Sequence, residues 1–197
     1  MVAIAGVAAP RGTEIVGATA ALGPPMITTA QELAAAAPGV VEMGLAAAAM
    51  VDGIIVGAFG DPGLGQLRAL VRMPVVGIAE AAMLEAAEGG RRFGIATVTP
   101  ALAEPIAERV RDVGLAERYT GIRLTLDDPI ALTTDPVRLV EVLAEAVRRS
   151  IDCDGAGAVV IGGGPLGEAA IALAARFATP IIAPIPAAVR HLLRTIR

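Results

Sequence analysis

Two glycine-rich segments, G-A-F-G-D-P-G-L from Gly57 and I-G-G-G-P-L from Ile161, mark where this chain can bring backbone against a small molecule. Gly162, Gly163 and Gly164 before Pro165 allow a tight turn and close approach. Free N–H groups at the start of the following helix would suit a carboxylate or enolate oxygen; the same features also serve a turn needed only for packing. Asp61 before Pro62 either caps the helix expected from Leu64 or faces a ligand. Glu80 is either a cleft carboxylate or an acid placed in a first helical turn, where it complements the helix dipole. Thr97 and Thr99, just before Pro100, either donate hydroxyls to an anion or cap the helix that follows. Cys153 precedes Asp154-Gly155 ahead of a strand and reads as an ordinary buried cysteine rather than a nucleophile. His191, between arginines, reads as a surface residue, and Tyr119 has no interpretable context.

Composition removes several function classes. One cysteine excludes an intrachain disulfide and a thiolate metal cluster, and one histidine excludes a His-rich metal site. A net charge of −4, no basic run, no Trp and one Tyr argue against nucleic acid. Neither glycine-rich loop has the G-x-x-x-x-G-K-S/T spacing of a nucleotide loop, and no cofactor is indicated. Hydrophobic residues make up 55% of 197 residues and the mean hydropathy is +0.67, so a well-filled core is expected. The uncharged stretch from Ile15 to Ala30 is interrupted by Gly23, Pro24 and Pro25 and falls short of the ~20 unbroken apolar residues a spanning helix needs. The first ten residues lack a basic start and make a poor signal peptide. They read instead as helical turns ended by Pro10, and a cytoplasmic protein is expected.

Short β-branched runs alternate with alanine-rich stretches. Strands are expected at 14–20, 53–56, 75–78, 93–97, 121–124, 158–161 and 181–183. Helices are expected at 29–36, 40–50, 64–71, 79–88, 101–113, 136–150, 166–176 and 186–197. The strands are continuous apolar runs, as when helices cover both faces of a parallel sheet. A weak repeat supports this. D-G-I-I-V-G-A-F-G-D-P-G-L from Asp52 and P-V-V-G-I-A-E-A-A from Pro74 match D-G-A-G-A-V-V-I-G-G-G-P-L from Asp154 and P-I-I-A-P-I-P-A-A from Pro180. Two related halves would present their strand C-terminal ends to one cleft, where open α/β sheets bind ligands.

The blocks from Gly57, Pro74 and Ile161, with R-F-G-I-A-T-V-T from Arg92, resemble hydantoin racemases of the aspartate/glutamate racemase superfamily, from about Gly12 onward. The resemblance implies an α/β fold of two pseudo-symmetric Rossmann-like three-layer halves with parallel sheets and an interdomain cleft. The first half would comprise 1–92 plus 183–197 and the second 93–182. It also implies a cofactor-independent isomerase in which a cysteine from each half exchanges a proton with opposite faces of a stereocentre, thiols being tunable toward working pH. The positions matching those cysteines are Ala58 and Gly163, and neither can carry a proton. The family's opening strand and Asn-Pro-Asn-Thr-type loop have no counterpart here, so an upstream start is expected.

Three readings stay open. In the first, a racemase acts on hydantoins or amino-acid derivatives with substitute groups at Asp61, Glu80, Thr97 or Thr99. In the second, a family member binds or converts a small carboxylate or amide ligand without racemase chemistry; some cysteine-free relatives carry a hydrogenase-accessory label. The third is a non-catalytic interaction protein with a filled cleft. The first two expect an open cleft lined by Phe59, Gly60, Thr97, Thr99, Gly163 and Gly164. No metal or membrane partner is expected. Apolar residues on several helix faces suggest a homo-oligomer.

Overall fold

The computed structural model describes residues 1–132 and 134–196. Its elements are α1 (Val2–Ala8), α2 (Ala30–Ala47), β1 (Ile54–Val56), α3 (Leu64–Leu70), β2 (Val75–Gly77), α4 (Ile78–Ala86), β3 (Phe93–Thr97) and α5 (Ala103–Asp112). These are followed by β4 (Tyr119–Leu124), α6 (Pro129–Leu132), α7 (Pro136–Asp152), β5 (Ala158–Ile161), α8 (Gly167–Ala174), β6 (Ile181–Ile182) and α9 (Pro184–Ile196). Arg197, the expected end of the last helix, lies outside the described residues.

The fold is α/β with two parallel sheets. β1 pairs with β2, Ile54 opposite Val75, and a second sheet runs β4-β3-β5-β6. β3 lies centrally, with Phe93 opposite both Tyr119 and Ala158. Period-two alternation sends its strands' side chains to two cores. Phe93, Ile95, Ala158 and Val160 join α4, α5 and α9 on one face. Ala96, Val159 and Ile161 join α7 and α8 on the other. Both faces are covered, which is why β3 and β5 are buried at every residue. A third cluster, Val56, Leu64, Leu67 and Val75, fixes α3 on the smaller sheet.

Local signals explain most boundaries. Thr29 begins α2 with a reciprocal cap: its Oγ1 accepts from the Glu32 amide at 3.2 Å, while Glu32 Oε2 accepts from the Thr29 amide at 2.9 Å. The break expected between 36 and 40 does not occur, because α2 runs through Pro38. Packing on either side outweighs the lost hydrogen bond there: Gly39 abuts the Leu22 carbonyl, and Gly44 is seated against the Leu67 side chain. Residues 14–20, expected as a strand, form no strand or ladder and are mostly exposed. Among the described residues β1 and β2 pair only with each other, and residues 14–20 add no strand to either free edge. α6 is a short turn that no periodicity announced.

Candidate functional site

Parallel strands put the loops after β1, β3 and β5 at C-terminal ends. The first loop, residues 57–63, is shaped by left-handed backbone: φ is 116° at Gly60, 52° at Asp61 and 72° at Gly63. The Asp61 amide donates to the Ala58 carbonyl at 3.0 Å, closing the turn. The second loop differs. Neither Gly162 nor Gly164 is left-handed and Gly163 is extended (φ 165°), so the tight turn, closed by the Gly163 amide on the Ile161 carbonyl at 3.1 Å, needs these glycines for space rather than for left-handed backbone. A Cβ at Gly164 would stand 2.9 Å from the Gly57 carbonyl oxygen, and one at Gly162 would stand 3.2 Å from Phe59 Cε1. The two loops therefore touch, and Ala58 and Gly163 each adjoin a residue of that contact. Met1 Sδ also reaches this junction, 3.2 Å from the Gly164 Cβ position.

β3 supplies hydroxyls to the same place. Thr97 is fully buried and its Oγ1 donates to the Gly162 carbonyl at 2.5 Å. Thr99 Oγ1, half-buried, lies 3.2 Å from Thr97 Oγ1. Thr99 precedes the turn at Pro100 but makes no side-chain cap bond, so neither threonine caps the following helix. The carbonyl across the sheet is the stronger claim on Thr97, since an unpaired buried oxygen costs more than a frayed surface turn.

Asp61 does not cap the helix from Leu64; Gly63 occupies that position. Its carboxylate reaches α4 instead, accepting from the Ala79 amide at 2.9 Å (Oδ1) and the Glu80 amide at 2.8 Å (Oδ2). A left-handed turn swings the side chain past its own helix toward the amides that open the next one, where negative charge is favoured. Gly77 is required here, because a Cβ would overlap the Asp61 carboxylate. Arg109 of α5 closes the arrangement, with Nε 3.1 Å from Asp61 Oδ2 and Nη2 2.5 Å from Glu80 Oε2. Arg68 holds Glu80 from the other side at 3.0 and 3.2 Å and donates to the Val75 carbonyl at 2.8 Å. Burial pushes the Asp61 carboxyl above its ordinary value; the two amides and Arg109 pull against that. Both carboxylates are thus committed to structure, and the Asp61 side chain has no exposed surface.

The remaining candidates scatter. Phe59 is buried in the core rather than lining an open surface. Glu80 does sit in the first turn of α4. Cys153 is exposed at the C-cap of α7, correcting its expected burial; the helix ends there and turns outward, ahead of β5. His191 is half-buried rather than on the open surface, beside a cavity of about 300 Å³ shared with Arg68, Arg72 and Thr195. The Tyr119 hydroxyl is buried without a hydrogen-bond partner among the described residues, its ring 5.8 Å from Phe93; burial first, and Glu104 second, push its pKa up to about 12. Arg68 and Arg109 were missed. Nothing in their spacing from Glu80 or Asp61 announces them, because the contacts are made by tertiary packing.

The Asp/Glu/hydantoin racemase family model matches residues 1–192, starting before the Gly12 at which the sequence resemblance begins. The chain belongs to that family. It is 30% identical to the hydantoin racemase of Pseudomonas sp. (strain NS671) over 93% of this chain and 74% of that protein. Against the hydantoin racemase of Paenarthrobacter aurescens it is 32% identical over 71% of this chain and 59% of that one. Among solved structures, the allantoin racemase from Klebsiella pneumoniae superposes with a TM-score of 0.91 at 33% identity, over 98% of this chain and 79% of that one. The allantoin racemase from Pseudomonas fluorescens gives 0.93 at 27% identity, over 100% and 83%. Arylmalonate decarboxylase shares the fold, with a TM-score of 0.62 at 16% identity over 82% of this chain and 76% of that one. This racemase-family chain has no helix among its described residues long and apolar enough to cross a membrane.

Proposed function

We propose that this chain binds a small cyclic or open-chain amide ligand at the junction of residues 57–60 and 162–164, and that it does not racemise it by the two-thiol route. The observation that carries the reading is the placement of acid–base groups. Ala58 and Gly163, where the resemblance sets thiols, adjoin the loop contact without an ionisable side chain. The chain's one cysteine precedes β5, away from the loop that follows that strand. Asp61 and Glu80, the expected carboxylate substitutes, are held by amides and guanidinium groups. A general base must reach the proton it abstracts, and neither carboxylate is free to do so.

The ligand-binding set in this reading is Phe59, Gly60, Thr97, Thr99, Gly163 and Gly164, with Phe59 as a buried wall. The division into 1–92 plus 183–197 and 93–182 belongs to the same reading. Its support is the sheet membership, β1 and β2 in one and β3 to β6 in the other, with α9 returning to pack on α1, α4 and the smaller sheet. Exposed Val7, Val16 and Met50 support self-association.

The test uses an enantiopure 5-substituted hydantoin in D2O. Calorimetry should show binding, while optical rotation and the C5–H proton signal decay only at the protein-free rate. Protein-dependent loss of rotation would overturn the reading.

A further inference from the structure

The hydroxyl pair at the end of β3 has a direction that can be worked out. The Gly162 carbonyl can only accept, so Thr97, whose Oγ1 lies 2.5 Å away, must donate to it. That uses the one proton Thr97 has. Thr97 Oγ1 can then only accept from its other neighbour, so Thr99, 3.2 Å away, is the donor whenever that pair is bonded. In that bonded state the Thr99 proton is used as well. The relay runs Thr99 to Thr97 to the Gly162 carbonyl, inward from a half-buried hydroxyl to a buried strand end. Only oxygen lone pairs remain at its outer end. Reversing it would take from the buried Gly162 carbonyl the donor that Thr97 provides.

We infer that Thr99 is a specificity-determining hydrogen-bond acceptor, selecting ligands that offer an N–H and disfavouring those that offer a carboxylate. This rests on the proposed ligand site and reverses the expectation that Thr97 and Thr99 donate to an anion. A carboxylate oxygen placed against Thr99 could take its proton only by breaking the bond to Thr97, whereas an amide or ureide N–H would add a third link and keep the other two.

The experiment measures binding of 5-methylhydantoin, its N1-methyl and N3-methyl derivatives, and N-carbamoyl-alanine as the ring-opened carboxylate, using protein-detected NMR titration. One of the N-methyl derivatives should bind about five- to tenfold more weakly than the parent, the size expected for one neutral hydrogen bond, and N-carbamoyl-alanine should bind more weakly still. Thr99→Val should abolish the difference between parent and N-methyl ligand, and Thr99→Ser should restore it. If 5-methylhydantoin binds but neither methylation weakens it, the role of Thr99 fails while the site stands. Equal or tighter binding of the carboxylate also overturns it. If none of the four ligands binds, the site and the role of Thr99 fall together.

Discussion

Residues 57–63 and 162–166 occupy matching places after β1 and β5, yet they reach their shapes by opposite means. The first loop bends through three left-handed residues and is anchored by Asp61 to the amides of α4 and to Arg109. The second stays near extended at Gly163 and is shaped by what crowds it: Phe59, Ile95 and Thr97 at Gly162, Leu166 at Gly163, and the Gly57 carbonyl at Gly164. A glycine-rich segment in a sequence therefore carries two meanings. One is backbone freedom and the other is absent volume, and substitutions should tell them apart.

The strongest way to break the first loop is Gly77→Ala, a substitution outside the loop's own residues. Its methyl group would occupy the space of the Asp61 carboxylate, separating a buried charge from its partners; the expected loss is roughly 3–5 kcal/mol in urea unfolding. A loss under about 1 kcal/mol would show that the anchor is not what holds the loop. Asp61→Ala, which removes the charge together with the cap, should cost less, about 2 kcal/mol by the same measurement. In the second loop, Gly164→Ala sets a methyl against a carbonyl that cannot rotate away and should cost about 2 kcal/mol. Gly163→Cys meets Leu166 side-chain atoms at 2.9 Å, which can shift, so about 1 kcal/mol is expected. If Gly163→Cys proved the more harmful of the two, crowding would not explain this loop.

The smallest effect is on pH dependence. Because burial raises the Asp61 pKa above 3.8, the native protein holds this proton more tightly than the unfolded chain. Its stabilising contribution is complete below pH 3.8 and is lost as pH rises through the raised native value. Urea midpoints compared with Asp61→Asn across that range should show the wild type losing stability relative to the variant as pH rises. The opposite slope would mean that the amides and Arg109 outweigh burial.

Much of this was legible in the sequence. The buried strands β3 and β5 carry unbroken apolar runs, and the Asp-Gly and Pro-led repeat marks both loops. The segment 14–20 misled because β-branched side chains do not by themselves dock a segment on an available sheet edge. Asp61 misled in a related way. Asp-Pro is a sound cap signal for the helix that follows it, but a φ of 52° turned the carboxylate to a different helix. Gly77 and Arg109 meet the Asp61 carboxylate from distant parts of the chain, while Arg68 meets Glu80 beside it, and no local pattern joins them.

Cys153 gives the chain an unusual experimental convenience. It is the single thiol, it is exposed, and it precedes β5 while the candidate loop follows that strand. A fluorophore attached there by maleimide chemistry would label one defined point without any engineered residue. With no tryptophan to compete, its emission would report on the far end of the same strand whenever a small molecule settles against Gly162 to Gly164.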